Sequence, residues 1–210
     1  MAVSLKKGQG VSLKKSENDL STVTIGLGWD VKEEKKGFIA ALLGGGGQND
    51  DYDLDAVAFL CHSDGKIHNA GNNNLVGGDI VFFNNLRHSS GAIWLTGDNR
   101  TGAGEGDDEQ IIVKLNDLPA QFAKIVFVVQ IYQGIQKRQS FGNIKNAFIR
   151  AVDGKGKEMV RFDLSGGEGF SQYRSLLFAE LIREDGGWKF NAIGSPDNSD
   201  SFVNWAKRYI

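Results

Sequence analysis

Short apolar segments recur along the chain, and turn-forming residues separate them. Many of these segments are rich in β-branched and aromatic residues, a composition typical of β-strands. Ten strands are predicted, near residues 22–29, 54–62, 80–83, 91–96, 109–115, 125–132, 146–152, 158–164, 176–184 and 188–193. Short strands at this spacing predict an all-β fold, an antiparallel β-sandwich with short peripheral helices.

The segments between the strands support this prediction. Asp153-Gly154-Lys155-Gly156 and Asp185-Gly186-Gly187 provide the positive-φ residues of tight hairpin turns, so most adjacent strands are expected to be antiparallel. A short closing helix is predicted over Ser201 to Ile210, with Asp200 as its N-cap. The segment from Phe170 to Leu177 is ambiguous between a helical turn and a strand.

Length, charge and cysteine content narrow the class of protein. The chain has 210 residues, 40% of them hydrophobic, which is enough for one core and predicts a single domain over residues 1–210. A net charge of −2 provides no basic footprint for nucleic acid. Cys61 is the only cysteine, and residues 1–20 lack the apolar core of a signal peptide, so a cytoplasmic location is expected.

The candidate chemistry begins with an acidic, glycine-rich segment from Gly97 to Glu109. Its thirteen residues include four glycines and five carboxylates, at Asp98, Glu105, Asp107, Asp108 and Glu109. Repulsion among so many acids in a compact loop favours binding of a hard cation, and glycines such as Gly104 allow backbone carbonyls to turn inward as further ligands. Calcium is the expected ion.

Other interpretations of the segment fit less well or stay open. An EF-hand register from Asp98 to Glu109 places Arg100, Gly102 and Ala103 at positions that need other residues, and the flanks are predicted strands. No Lys-Ser/Thr pair follows the glycines, as a phosphate-binding P-loop requires. A solvated acidic hairpin loop that binds no metal remains an alternative.

A second group of polar residues strengthens the metal hypothesis. Asp50, Asp51, Asp53 and Asp55 lead into the apolar strand 54–62, and in an extended chain Asp51, Asp53 and Asp55 share one face. Asp30 ends another strand, and Asn84 and Asn85 follow a third. The ends of strands in a sandwich can converge at one pole, where these groups are expected to assemble a calcium site from several loops.

These segments resemble the TerD family of tellurite-resistance and stress-response proteins. The resemblance is carried by Gly26-Leu27-Gly28-Trp29-Asp30, Asp53-Leu54-Asp55-Ala56, Phe83-Asn84-Asn85, Gly97-Asp98-Asn99-Arg100-Thr101-Gly102 and Gly106-Asp107-Asp108-Glu109, and it spans residues 3–194. The stretch from Lys35 to Gly47 is similar to the TerZ branch of the family. The resemblance implies a calcium-binding β-sandwich with no catalytic activity.

The resemblance also implies a ligand set and a function. One or two calcium ions are expected, with ligands drawn from Asp30, Asp53, Asp55, Asn84, Asn85, Asp98, Asn99, Gly104, Asp107, Asp108 and Glu109. The expected function is a metal-ordered binding module, with other stress-response proteins or a membrane-associated complex as partners. Two alternatives stay open: a metal-dependent enzyme acting on a phosphorylated or carbohydrate ligand, and a scaffold subunit whose metal only adds stability.

Three further features of the sequence bear on function. Phe38 to Leu43 is too short to span a bilayer; it is expected either to cover one end of the core or, with Lys32, Lys35 and Lys36, to touch an anionic membrane or a partner. The three histidines share no zinc-ligand spacing. Cys61 is predicted to be a buried structural residue, because adjacent strand residues face opposite sides and His62 therefore cannot activate its thiol.

Overall fold

The computed structural model describes residues 2–31, 52–96, 106–163 and 169–210. Within these ranges the chain forms β-strands joined by turns, one 3-10 turn at Phe141–Asn143 and one short helix. The elements are β1 (Val3–Leu5), β2 (Gly10–Lys14), β3 (Val23–Val31), β4 (Leu54–Cys61), β5 (Ile80–Val81), β6 (Ile93–Leu95), β7 (Glu109–Val113), β8 (Lys124–Ile131), β9 (Ile144–Val152), β10 (Glu158–Asp163), β11 (Ser175–Glu184), β12 (Gly187–Asp197) and α1 (Phe202–Ala206).

The strands form two sheets that pack face to face, which confirms the predicted β-sandwich. The first sheet has the order β1-β10-β9-β3-β7-β6, and the second has the order β2-β12-β11-β8-β4-β5. Among the described strands, β1 and β10 pair in parallel, and the other neighbouring pairs are antiparallel. The antiparallel pairing follows from the short hairpin connections that the turns provide.

Side-chain alternation explains how β4 is buried on both faces. Leu54 and Leu60 point into the main core between the sheets. Phe59 and Cys61 point the other way, into a second cluster that Trp205 of α1 covers. Since both faces are buried, the strand reads in the sequence as a continuous apolar run and not as an alternating one.

The structure adds two strands that the sequence pattern did not predict. The short strands β1 and β2 lie at the edges of the two sheets, where β1 pairs with β10 and β2 pairs with β12. β2 has only one fully buried residue, Leu13. Its apolar pattern is therefore too weak to mark it as a strand, and its conformation comes from hydrogen bonds to a neighbour distant in sequence.

The closing helix is present, but its predicted cap was wrong. Ser201 occupies the N-cap position, with no side-chain capping bond. The Asp200 carboxylate instead accepts a hydrogen bond of 2.9 Å from the Ile135 N–H, so it secures the loop after β8.

None of the helices in the described ranges is long and apolar enough to cross a membrane.

The remaining turn predictions have clear outcomes. Gly156 and Gly186 have φ angles of +79°, as expected for the two glycine-rich hairpin turns. The ambiguous segment at 170–177 divides into a turn, closed by a 3.0 Å bond from Tyr173 N–H to the Phe170 carbonyl, and the start of β11 at Ser175.

Candidate functional site

The ends of strands from both sheets meet at one end of the sandwich, called the acidic pole below. In the first sheet, Leu27 in the middle of β3 pairs with Glu109 at the start of β7, and β3 continues past this pair to Val31. In the second sheet, β4 begins at Leu54 beside the end of β8. The described acidic residues of the pole are Asp30, Asp53, Asp55, Asp107, Asp108 and Glu109.

Asp108 is a buried carboxylate at the centre of this arrangement. Only 8% of its surface is exposed, and its Oδ2 accepts a 2.8 Å hydrogen bond from the Trp29 N–H. Its own N–H donates to the Leu27 carbonyl over 2.7 Å. Burial raises the pKa of Asp108; the Trp29 bond opposes this rise, and the negative charges of Asp30 and Asp107 add to it.

Glu109 links the two sheets. Its side chain is 3% exposed, and its Oε2 accepts a hydrogen bond from the N–H of Ala56 in β4. Since Glu109 belongs to the first sheet and Ala56 to the second, a carboxylate bridges the sandwich at the pole. Glu109 is therefore bonded to the residue that directly follows Asp55.

Asp107 faces a different environment. Its Oδ1 accepts a 2.8 Å bond from Arg150 Nε and its Oδ2 a 3.2 Å bond from Gln110 Nε2, while Glu158 shares the same guanidinium over 3.0 Å. The hydrogen bond to Asp107 is the main cause that raises the pKa of Arg150. The carboxylate lies against Gly26, where an added Cβ would stand 2.2 Å from Asp107 Cγ. A cation at Asp107 would have to compete with Arg150.

Asp55 lies on the face of the second sheet that α1 covers. Its Oδ2 accepts a 2.9 Å bond from Gln130 Nε2, and Gln130 Oε1 accepts the N–H of Phe202 at the start of the helix. This network connects the pole to the closing helix. Asp53, half-buried, precedes the strand, and its carbonyl accepts a 2.8 Å bond from the Tyr132 N–H.

The remaining described candidates differ in exposure. Asp30 is exposed, and its Oδ2 accepts a 2.6 Å bond from Asn146 Nδ2. Asn84 is exposed in the turn after β5. Asn85 is 8% exposed, and its amide ties that turn to the chain that precedes it, donating to the Ile80 carbonyl over 2.6 Å and accepting the Gly77 N–H over 3.3 Å. Its contacts therefore place it as a residue that holds the loop.

Several predicted residues lie outside the described ranges: the candidate ligands Asp98, Asn99 and Gly104, and the apolar stretch from Phe38 to Leu43 with Lys32, Lys35 and Lys36. Across 2–31, 52–96, 106–163 and 169–210, no group of three or more His, Cys, Asp or Glu side chains is arranged to hold a metal ion. The donors at the pole are all oxygen atoms, which fits calcium in chemistry. A full coordination shell would require oxygens from residues 97–105.

The three histidines, scattered in the sequence, gather around Phe122. The rings of His62 and His68 stack with centroids 3.8 Å apart, and His62 and His88 each lie 5.3 Å from the Phe122 ring. Buried His88 is paired with Asp79 over 3.2 Å.

Cys61 is fully buried nearby, which confirms its structural role, and burial raises the pKa of its thiol to about 12.

Sequence reasoning missed the partners of the acids. Trp29 was expected only as part of a strand, yet its backbone N–H binds Asp108. Gln130 and Arg150 lie within strands and carried no motif. The sequence offered a partial indication for Arg150, because a charged residue inside a predicted strand is expected to pair with an acid. It offered no indication that Gln130 would bond to Asp55.

The fold and the pole define a class: an all-β sandwich with clustered carboxylates where its two sheets meet. The TerD domain model matches residues 1–209, and the chain belongs to the TerD family. It is 63% identical to the tellurium resistance protein TerX of Serratia marcescens, over the whole of both chains. It is 40% identical to the stress response protein SCP2 of Bacillus subtilis, again over the whole of both chains.

A structural relative shares the fold. A crystal structure of a homologue of the telluride resistance protein TerD from Streptomyces coelicolor aligns with a TM-score of 0.61 and 22% identity, over 89% of this chain and 95% of the other. The expected likeness to the TerZ branch is weaker than the likeness to TerX, because TerZ of S. marcescens is 40% identical over 91% of this chain. The relatives named here are described as resistance and stress response proteins, not as enzymes.

Proposed function

We propose that the protein is a calcium-binding, non-enzymatic module of the tellurium-resistance and stress response system, with its metal site at the acidic pole. The observation that carries the proposal is a pair of buried carboxylates, Asp108 and Glu109, at the point where a hydrogen bond joins the two sheets. Asp108 bonds to Trp29 near the end of β3, and Glu109 bonds to Ala56 in β4. Two neighbouring acids are therefore held largely out of water, beside the segment of the chain that carries Asp53 and Asp55.

The donor chemistry supports calcium over a softer metal. The pole presents carboxylate oxygens, without histidine or cysteine ligands among its described residues, and calcium prefers six to eight oxygen donors. In this proposal Asp108 and Glu109 form the buried side of the site. The further oxygens would come from Asp30, Asp53, Asp55, Asp98, Asn99 and Gly104.

The hydrogen bonds of the other candidates indicate which of them would bind calcium directly. Asp107 is balanced by Arg150, and the amide of Asn85 is bonded to Ile80 and Gly77, so both acid and amide are proposed as supports and not as primary ligands. Bound calcium would offset the repulsion among the acids. Calcium would then order the loops at the pole into a surface for another stress-response protein or a membrane-associated complex.

The test is a calorimetric titration of chelator-stripped protein with calcium, with magnesium in parallel. Saturable calcium binding is expected in the parent, and loss of it is expected in an Asp98→Asn, Asp108→Asn double variant. Asp64→Asn, which removes an exposed acid far from the pole, is the matched control and should bind like the parent. Equal binding by the parent and the double variant would refute the site, and absence of binding by the parent would refute the function.

Thermal unfolding provides a second measurement. Calcium at about 100 times its dissociation constant stabilises a folded protein by about 2.7 kcal/mol. For a chain of this size that corresponds to an increase of roughly 5–10 °C in Tm. Asp108→Asn should lose most of this shift. In chelator the same variant should melt no lower than the parent, because Asn keeps an acceptor for the Trp29 N–H and removes a buried charge.

A further inference from the structure

In the part of the chain that the structure describes, the exposed apolar residues are concentrated beside the acidic pole. In the described ranges, four of the seven large hydrophobic residues that are strongly exposed lie in two loops, one after β5 and one after β8. They are Phe83 (39% exposed), Leu86 (51%), Tyr132 (38%) and Ile135 (58%). Exposed apolar side chains are common singly, but their concentration in adjacent loops indicates a contact surface.

The two loops are in direct contact. The rings of Phe83 and Tyr132 meet edge to face, with centroids 6.3 Å apart. β5 and β8 flank β4 on either side and run in the same direction, opposite to β4, so both loops leave the second sheet at the same end. Residues 83–87 and 132–138 are together called the aromatic patch below.

The charge of the aromatic patch is entirely positive. Its two segments carry Arg87, Lys137 and Arg138 and no acid, although the chain as a whole has a net charge of −2. Lys137 Nζ lies 5.6 Å from the centre of the Tyr132 ring, so a cation stands directly beside the apolar surface. Two half-buried acids border the patch: Asp200, which accepts the Ile135 N–H, and Asp53, whose carbonyl accepts the Tyr132 N–H.

We propose that the aromatic patch docks the protein on a bilayer of anionic lipid. Aromatic side chains are favoured at the level of the lipid headgroups, and an exposed aliphatic residue such as Ile135 gains from entering the boundary of the acyl chains. The three cations would meet the negative headgroups. A protein partner is favoured less, because the patch consists of protruding loops with a single sign of charge.

The loop after β8 is built to present these side chains. Its backbone is closed on itself by bonds from Lys137 N–H to the Gln133 carbonyl (2.9 Å) and from Gln139 N–H to the Gly134 carbonyl (2.7 Å). Gln133 and Arg138 have φ angles of +56° and +54°. Because the loop is closed by its own hydrogen bonds, Ile135 stands out from it without requiring ordering upon contact.

The inference does not depend on calcium, since none of Phe83, Tyr132, Ile135 and the three cations is a proposed ligand. It is tested by sedimentation of the full chain with large vesicles, either of phosphatidylcholine alone or of an equal mixture of phosphatidylcholine and phosphatidylglycerol. The measurement is made once with chelator and once with calcium. Binding to the anionic vesicles in both, and weakening at about 0.15 M salt, is expected.

Variants distinguish binding through the aromatic patch from an effect of the net charge of the protein. Lys137→Gln, Arg138→Asn should lower the partition coefficient about 25-fold, since each cation near an anionic surface contributes about 1 kcal/mol, or about fivefold. Asn is used at 138 because it tolerates the positive φ. Ile135→Ser should lower the coefficient about tenfold. Lys15→Gln, Lys155→Gln, which changes the net charge equally at the opposite end of the sandwich, should leave it unchanged.

Four outcomes would overturn the proposal. They are absence of binding to either vesicle, equal binding to neutral vesicles, an equal loss in the Lys15, Lys155 control, and parental binding by the patch variants. In the last case Lys32, Lys35 and Lys36 would be the next residues to test. None of these outcomes bears on calorimetric calcium binding, so the two proposals fail separately.

Discussion

The N–H of Ala56 in β4 donates a hydrogen bond to the carboxylate of Glu109 at the first residue of β7, and this bond joins the two sheets at the acidic pole. The pair is separated by 53 residues in the sequence. A buried carboxylate therefore has a structural partner in addition to any metal that it binds.

Replacing Glu109 should destabilise the fold even without calcium. Glu109→Ala leaves the buried Ala56 N–H without its acceptor, and hydrogen bonds to charged groups contribute about 1.5–3 kcal/mol. Glu109→Gln keeps an acceptor and should cost less. The free energy of unfolding from urea titrations in chelator checks both. A Glu109→Ala protein as stable as the parent would show that the bond contributes nothing.

The contact between Gly26 and Asp107 predicts a second effect. In Gly26→Ala the new Cβ would stand 2.2 Å from the Asp107 carboxyl carbon, so the carboxylate must move away from Arg150. A destabilisation of about 1–3 kcal/mol is expected in chemical denaturation. Gly169→Ala is the matched control, since a Cβ there meets nothing within 4 Å.

A double-mutant cycle identifies the cause. In an Asp107→Ala background the Gly26→Ala change should cost less, with a coupling energy of about 0.5–3 kcal/mol. Additive effects of the two substitutions would mean that the glycine is required for another reason.

The buried thiol should be inert in the native protein. Burial raises the pKa of Cys61 from 9.0 to about 12, so the reactive thiolate is scarce near neutral pH. A thiol reagent such as DTNB at pH 8 should leave the native protein unmodified and react fully in guanidinium chloride. Rapid labelling without denaturant would contradict the burial. As the pH rises above 9, the Cys61 thiol ionises in the unfolded chain before it ionises in the folded protein. The contribution of Cys61 to the free energy of unfolding therefore falls as pH rises.

Asp153, in the turn between β9 and β10, should make the stability of the fold depend on pH in the acidic range. Burial alone would raise the pKa of Asp153, but the N–H groups of Lys157, Asp19 and Lys155, at 2.9, 3.2 and 3.0 Å, outweigh it and lower the pKa below 3.8. The folded state therefore favours the carboxylate. Its contribution to stability is complete above about pH 5 and is lost as pH falls through 3.8 and then through the lower pKa of the folded state.

The check is a comparison of the parent with Asp153→Asn by urea unfolding across this pH range. The parent should be more stable at pH 6, and its advantage should shrink towards pH 3. An advantage that stays constant with pH would assign the effect to shape or packing and not to the charge of Asp153.

The sequence predicted the sandwich because each of the ten main strands has either an alternating or a continuous apolar pattern bounded by turn residues. It did not predict β1 and β2, whose conformation depends on pairing with β10 and β12. It also assigned the helix cap to Asp200, because local spacing cannot show that the carboxylate is already bonded to Ile135.

For the candidate site, the sequence singled out the acidic residues but did not show which of them are paired with a cation and which are buried. The acidic composition of residues 50–55 and 97–109 was enough to predict a cation site, since repulsion between like charges depends on composition and local spacing. Asp107 and Asp108 look equivalent in the sequence. In the structure one is paired with Arg150 and the other is buried against Trp29.

The apolar periodicity, the turn glycines and the clustered carboxylates thus determined the fold class and the candidate chemistry, because each of these is a property of neighbouring residues. Tertiary structure decided the partners: Arg150 for Asp107, Trp29 for Asp108 and Gln130 for Asp55, at separations of 43, 79 and 75 residues. It also joined the loops of Phe83 and Tyr132 into one surface. Contacts at such separations arise only when strands pair and sheets stack, and local sequence does not encode which strand ends will meet.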